Sequence, residues 1–271
     1  MTWLTAPKQL SPHLYIVYAE FPHRDSGNIY LVTGRSPTLI DCGSRRAIPH
    51  LLRNLDQLGV AVSDLTRIIA THGDCDHIQG FHDLRLLHPT LRLHIHPDDW
   101  PLVLESDPYR NANYLYRNPF VPLLAEHCVP LADGETIAAG DGTLVVHHTP
   151  GHTDGSVCLL GEIDGHTVLF AGDTVGGAMK SLNGADLRLW ALAALTWERS
   201  LERIAGLDID WVLNGHEPAE GLPLSRARFD RAIRSFGKML SPWFLLDEQE
   251  DEDPVELVAE ALEETGQDGV G

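Results

Sequence analysis

Apolar residues along the chain fall into two alternating registers. Over the first forty residues, "LYIVYAE", "NIYLVTG" and "TLIDCG" are short, rich in β-branched and aromatic residues, and broken by Gly, Pro and Ser. That pattern predicts strands. The register then lengthens in "RRAIPHLLRNLDQLGV", where Ile48, Leu51, Leu52, Leu55 and Leu58 recur at helical spacing. Ser44 is the expected N-cap, and Pro49 falls early, where a helix tolerates it. "TRIIATH" reads as a buried strand, "HIQGFHDLRLLHP" as a helix and "LRLHIHP" as another strand.

Strand character returns in "TIAAGDGTLVVHHTPGH", and Asp164-Gly165 marks a hairpin turn between "VCLLGEI" and "HTVLFAGD". "LRLWALAALTWERSLERIAGL" is the strongest amphipathic helix; the strand "DWVLNGHEP" and the helix "LSRARFDRAIRSFGKML" follow. Strands covered by helices imply a layered α/β fold. The stretch from Asp98 to Pro130 is less regular. Trp100, Tyr109, Tyr114, Tyr116 and Phe120 are interleaved there with Arg110 and Arg117. Residues 97–130 read either as a lid or as a helical insertion with its own small core.

Net charge changes the picture at the C-terminus. Of the −19 carried by 271 residues, eleven charges lie from Asp247 onward without a Lys or Arg, which leaves −8 for the rest. Residues 1–246 are expected to form one domain, and 247–271 a solvated acidic tail with a short helix after Pro254. No basic stripe offers itself to nucleic acid. No apolar run reaches the roughly 20 residues of a membrane span. The first residues lack the charged and apolar regions of a secretory signal, so the expectation is a cytoplasmic protein without a membrane or nucleic-acid partner. Cys42, Cys75, Cys128 and Cys158 follow no disulfide or zinc spacing and read as buried reduced thiols.

Candidate chemistry sits where strands end. "THGDCDHIQG" packs His72, Asp74, Asp76 and His77 into six residues, and His152, Asp173 and His216 each follow a glycine at a later strand end. Imidazole and carboxylate lone pairs on short loops are what a metal site requires. His82, His88, His94, His96, His147, His148 and His166 have no such context and read as non-ligands. Arg110, Arg117 and Lys180 could face an anionic substrate but read as solvated charges.

In these motifs the chain resembles the metallo-β-lactamase superfamily, over nearly all of residues 10–240. The family pattern His-x-His-x-Asp-His, a Gly-His-Thr-like histidine, an aspartate after a strand and a late histidine match His72-Gly-Asp74-Cys-Asp76-His77, His152, Asp173 and His216. The segments "TPGHTDGS", "LFAGDT" and "NGHEP" look most like its glyoxalase II and lactonase branch. The resemblance implies a four-layer αββα sandwich with two divalent metal ions at one edge. His72, Asp74 and His152 would hold one ion, and Asp76, His77 and His216 the other. Asp173 would bridge them, and Asp41 would support the site from behind. It implies a dinuclear hydrolase of a small ester, thioester or lactone, working through a metal-bridging hydroxide that Asp76 orients.

One position departs from the pattern. Asp74 stands where the family has its second histidine, and the added negative charge favours harder metals such as iron or manganese over zinc. That keeps two alternatives open. One is an oxygen-using non-haem iron enzyme akin to persulfide dioxygenases or flavodiiron proteins. The other is a metal-containing sensor without turnover. Substrate identity and oligomeric state are not readable from these residues.

Overall fold

The computed structural model describes residues 2–21, 25–105, 111–113, 120–176 and 187–236. Tyr109, Arg110, Tyr114, Tyr116, Arg117, Lys180 and the tail 247–271 lie outside them. The chain opens with strands β1 (Thr2–Trp3), β2 (Lys8–Ser11), β3 (Leu14–Tyr18), β4 (Glu20–Phe21), β5 (Ile29–Val32) and β6 (Thr38–Ile40), then helix α1 (Ile48–Gln57) and strand β7 (Arg67–Ile69). Helices α2 (Cys75–Ile78) and α3 (Phe81–Leu87), strand β8 (Leu93–Ile95), helix α4 (Trp100–Leu104) and strand β9 (Cys128–Pro130) follow. The second half comprises β10 (Thr136–Ala139), β11 (Gly142–His148), β12 (Val157–Ile163), β13 (His166–Gly172), α5 (Leu187–Ala205), β14 (Trp211–Asn214) and α6 (Arg226–Phe236).

Two sheets result. One runs β2-β3-β5-β6-β7-β8-β9 and the other β10-β11-β12-β13-β14. In the larger sheet the pairs β6–β7, β7–β8 and β8–β9 are parallel, and in the smaller one so is β13–β14. Parallel strands need crossover connections, and these are supplied by α1, by α2 with α3, and by α5.

Alternation along the strands decides what each face meets. Tyr30, Val32, Ile40 and Ile69 join Leu159, Val168, Phe170 and Val212 in a core that unites the sheets. Ile29, Leu31, Leu39 and Ile68 point the other way, against Ile48, Leu51 and Leu55 of α1 and Phe81 and Leu84 of α3. On the smaller sheet's side, Trp197, Leu201 and Ile204 of α5 and Phe229 of α6 complete the packing. The expected αββα sandwich is thus the observed one.

Two local expectations are corrected, at Ser44 and over 77–89. Ser44 does not cap α1. The helix starts after Ala47, without a side-chain cap, because a turn closed by Ala47 N to Ser44 O (3.1 Å) sets Ser44 too far ahead of the first helical residues. The stretch 77–89 is two helices, not one. Gly80 turns its N–H to Gly43 O (2.8 Å) and packs so closely on the Cys42 carbonyl that a Cβ would lie 2.1 Å from it. The irregular stretch 97–130 ends in β9, which pairs with β8, while Leu102, Val103 and Leu123 join the core outside the larger sheet. All four cysteines are free and buried, and burial raises the Cys42, Cys128 and Cys158 thiols above their ordinary range. No helix among the described residues is long and apolar enough to cross a membrane.

Candidate metal centre

Backbone bonds between the sheets gather the strand ends. Val157 N donates to Thr71 O (2.8 Å) and Asn28 N to Gly215 O (2.7 Å), while within the larger sheet's side Gly27 N donates to Asp76 O (3.0 Å). The loop after β7 thereby delivers His72, Asp74, Asp76 and His77, and the loops after β11, β13 and β14 deliver His152, Asp173 and His216. Gly215 is required by contact. A Cβ there would lie 2.0 Å from Asp173 Oδ1, so any side chain would displace the carboxylate.

All seven expected residues are buried and mutually close. Ligand-type atoms of His72, His152 and Asp173 lie within 4.8 Å of one another, and so do those of Asp76, His77 and His216. Asp74 belongs beside the first group: its Oδ2 is 3.1 Å from His152 Nε2 and 3.5 Å from His72 Nε2. Asp173 spans both groups, with Oδ2 2.9 Å from His216 Nε2 and 3.5 Å from His152 Nε2. Its Oδ1 is 3.5 Å from His77 Nε2. Asp76 Oδ2 is 3.6 Å from both His77 Nε2 and His216 Nε2.

Hydrogen bonding behind the cluster aims its lone pairs inward. Asp41 accepts from Thr71 N (2.7 Å), Thr71 Oγ1 (2.8 Å) and His77 Nδ1 (2.8 Å). With its hydroxyl proton given to Asp41, Thr71 Oγ1 accepts from His72 Nδ1 at 3.0 Å. Both imidazoles then carry a proton on Nδ1, and both Nε2 atoms face the cluster. Asp41 itself adopts a left-handed backbone conformation (φ 59°), strain that carboxylate bonds of this kind offset. On the other side Trp197 meets the His152 ring edge-on at 5.6 Å and is fastened by Nε1–H to Thr174 O (2.8 Å).

Electrostatics fit a cation. Three buried carboxylates converge on four imidazoles. His72 Nε2 and Asp173 Oδ1 are buried without a hydrogen-bond partner among the described residues, which is costly unless something else meets their lone pairs. Burial alone would lower the His77 pKa, but the charges of Asp76, Asp41 and Asp173 and the Asp41 hydrogen bond together push it up to about 10. Its Nε2 lies 3.3 Å from His216 Nε2, so the two imidazoles present their metal-type nitrogens side by side. Burial disfavours the Asp173 carboxylate, yet His216 and His77 hold its carboxyl well below the usual range. Nitrogen and oxygen donors in two groups joined by one carboxylate suit a pair of divalent cations.

The histidines read as non-ligands lie elsewhere. His82 contacts Val121 O (2.8 Å), His88 contacts Leu65 O (3.2 Å), and His166 stacks on Trp211. His94 is pushed down to about 4, by burial first and then by Arg67. His96 and His148 do approach Asp98, within 4.8 Å. Their rings, however, stack nearly parallel, 3.9 Å apart at 12°. A cation about 2.0–2.1 Å from a ring nitrogen, in the ring plane, cannot satisfy both. Sequence reasoning missed Thr71, Trp197 and Asp99. The first two carry no motif of their own, and Asp99 lies in the irregular stretch, where only its position after the strand "LRLHIHP" could have marked it.

Comparisons with known proteins agree with this geometry. A family model described as the metallo-beta-lactamase superfamily matches residues 23–216. The acyl-coenzyme A thioesterase MBLAC2 of Gallus gallus is 33% identical over 167 residues, 55% of this chain and 57% of that protein. An atrochrysone carboxyl ACP thioesterase of Passalora fulva is 27% identical over 175 residues, 63% of this chain and 45% of that one. The chain thus spans about half the length of these curated relatives. The class B3 di-zinc metallo-beta-lactamase LRA-12, from an Alaskan soil metagenome, superposes with a TM-score of 0.68 at 19% identity, covering 89% of this chain and 94% of that one. With 194 consecutive residues matched by the family model and the sandwich in place, the chain belongs to the metallo-beta-lactamase superfamily.

Proposed function

We propose that the protein is a dinuclear metal-dependent hydrolase of a small thioester, with esters and lactones as the neighbouring substrate classes. The observation that carries this reading is Asp173, whose two oxygens reach ligand atoms of both groups. His72, Asp74 and His152 would hold one cation, Asp76, His77 and His216 the other, and Asp173 both. The two thioesterase relatives support the choice of thioester.

Cations bound there would supply Lewis acidity towards the carbonyl oxygen and make water acidic enough to attack near neutral pH. The chain's own residues do the rest. Asp76 orients the attacking oxygen. Asp41 and Thr71 keep His77 and His72 in the tautomer that presents Nε2. Water adds to the thioester carbonyl carbon, the C–S bond breaks, and a carboxylic acid and a thiol leave. Residues 1–246 are read as one functional unit, with 247–271 as a solvated appendage.

Asp74 supports a second reading. An oxygen donor 3.1 Å from His152 Nε2 makes the first group harder than a histidine would, which suits iron and oxygen chemistry. One set of measurements separates the two. Metal content is determined on protein purified without added metal, then thiol release from acyl-coenzyme A thioesters and oxygen uptake with thiol persulfides are assayed before and after chelation. Chelator-sensitive thiol release, restored by metal, is the expected result. Oxygen uptake without hydrolysis would replace the hydrolase by the oxidative reading. Bound metal with neither activity would leave the sensor.

A further inference from the structure

We infer that Asp99 is the positioning residue for the His72–Asp74–His152 half of the centre, an assignment that rests on reading that half as a metal site. Asp99 ends the short turn Pro97–Asp99 that follows β8, and it is 0% exposed. Its carboxylate accepts three short hydrogen bonds. Gly73 N and Thr153 Oγ1 donate to Oδ2 at 2.7 and 2.8 Å, and Gly155 N donates to Oδ1 at 2.7 Å.

The donors are the telling part. Gly73 lies between the ligand candidates His72 and Asp74, and Thr153 follows His152 directly. One carboxylate therefore joins a loop of the larger sheet to a loop of the smaller one, on the side where Asp74 Oδ2 and His152 Nε2 meet at 3.1 Å. The approach is as close as backbone permits. A Cβ at Gly155 would lie 2.6 Å from both Asp99 N and Asp99 Cγ, and one at Gly73 would lie 3.2 Å from Asp99 Cβ.

Chemistry explains why the residue is an aspartate. All three partners donate, so the site needs an acceptor at both oxygens, and an ionised carboxylate offers only acceptors. Asparagine would turn an NH2 group towards a backbone N–H and leave a buried donor unmet. Asp99 thus does through backbone what Asp41 does through the His77 ring. It holds the spacing of the first group's ligand candidates through the two loops that carry them.

The test uses the full chain, made metal-free and titrated with cobalt(II). Visible absorption and chelator competition resolve the two sites, and amide hydrogen exchange is followed in the metal-free protein. Asp99→Asn is expected to weaken one cobalt site by roughly 10–100-fold, leave the other within about 3-fold, and speed exchange at the Gly73 and Gly155 amides. Thr153→Val removes one donor and keeps the carboxylate. It should give a loss at the same site of about 10-fold or less, and it serves if Asp99→Asn does not fold. Wild-type affinities at both sites in these variants would overturn the assignment, as would equal losses at both sites, the mark of a merely structural role. A wild type that binds fewer than two cobalt ions would instead overturn the two-cation reading, and the assignment with it.

Discussion

The two halves of the centre are held by opposite means. In the Asp76–His77–His216 half, a buried carboxylate acts on a ligand ring: Asp41 grips His77 Nδ1, and the surrounding charge raises His77 to about 10. In the His72–Asp74–His152 half the buried carboxylate, Asp99, grips backbone at Gly73 and Gly155. The first arrangement orients a ring whose pKa the neighbouring carboxylates raise. The second sets the spacing of the two loops that carry its ligand candidates. The halves should therefore differ in what breaks them.

The largest effect should come from the one residue both halves share. Asp173→Ala should abolish binding of both metals and lower hydrolysis by more than the roughly 100-fold that losing an outer-shell partner costs; two retained equivalents by elemental analysis would refute the bridge. Next, Asp41→Asn should weaken metal binding by roughly 10–100-fold, mainly in the His77 half, as read by chelator competition. Equal weakening of the two halves would erase the contrast drawn above. Asp74→His should raise the ratio of zinc to iron taken up from an equimolar mixture, with the second half unaffected. An unchanged ratio would mean that Asp74 does not ligate.

The smallest effect is a pH dependence of the metal-free protein. His77 has its pKa raised from 6.5 to about 10, so the stability it contributes is complete below about 6.5 and is lost as pH rises through about 10. Asp173 is depressed below 3.8, so its contribution is present above that value and lost as pH falls. The urea midpoint of the metal-free chain should accordingly decline across the window from 6.5 to 10. A flat profile there would show that His77 holds no extra proton.

What was legible in the sequence follows from what periodicity encodes. The strand pattern of "TRIIATH" and the helical pattern of Ile48, Leu51 and Leu55 reflect burial on one face, and burial is what the fold supplies. The seven ligand candidates were legible as well, because they cluster at strand ends and match a family motif. Features set by contacts distant in sequence were not. Ser44 has the chemistry of a cap, but its backbone is tied to Ser26, eighteen residues away, and a turn separates it from the helix. Gly80 breaks a helical run because the Cys42 carbonyl lies against it. Asp99 is one acid among many until Gly73, Thr153 and Gly155 are seen to converge on it.

The seam between the sheets has a further consequence. His72, Asp74, Asp76 and His77 come from one sheet and His152, Asp173 and His216 from the other, so a bound cation would rivet the two halves of the sandwich together. Each site filled at a hundred times its Kd would add about 2.7 kcal/mol to the folded state, a large share of what a typical domain has. Metal supply in the cell would then govern the lifetime of the protein as well as its rate. Starvation would remove molecules through proteolysis before it merely idled them.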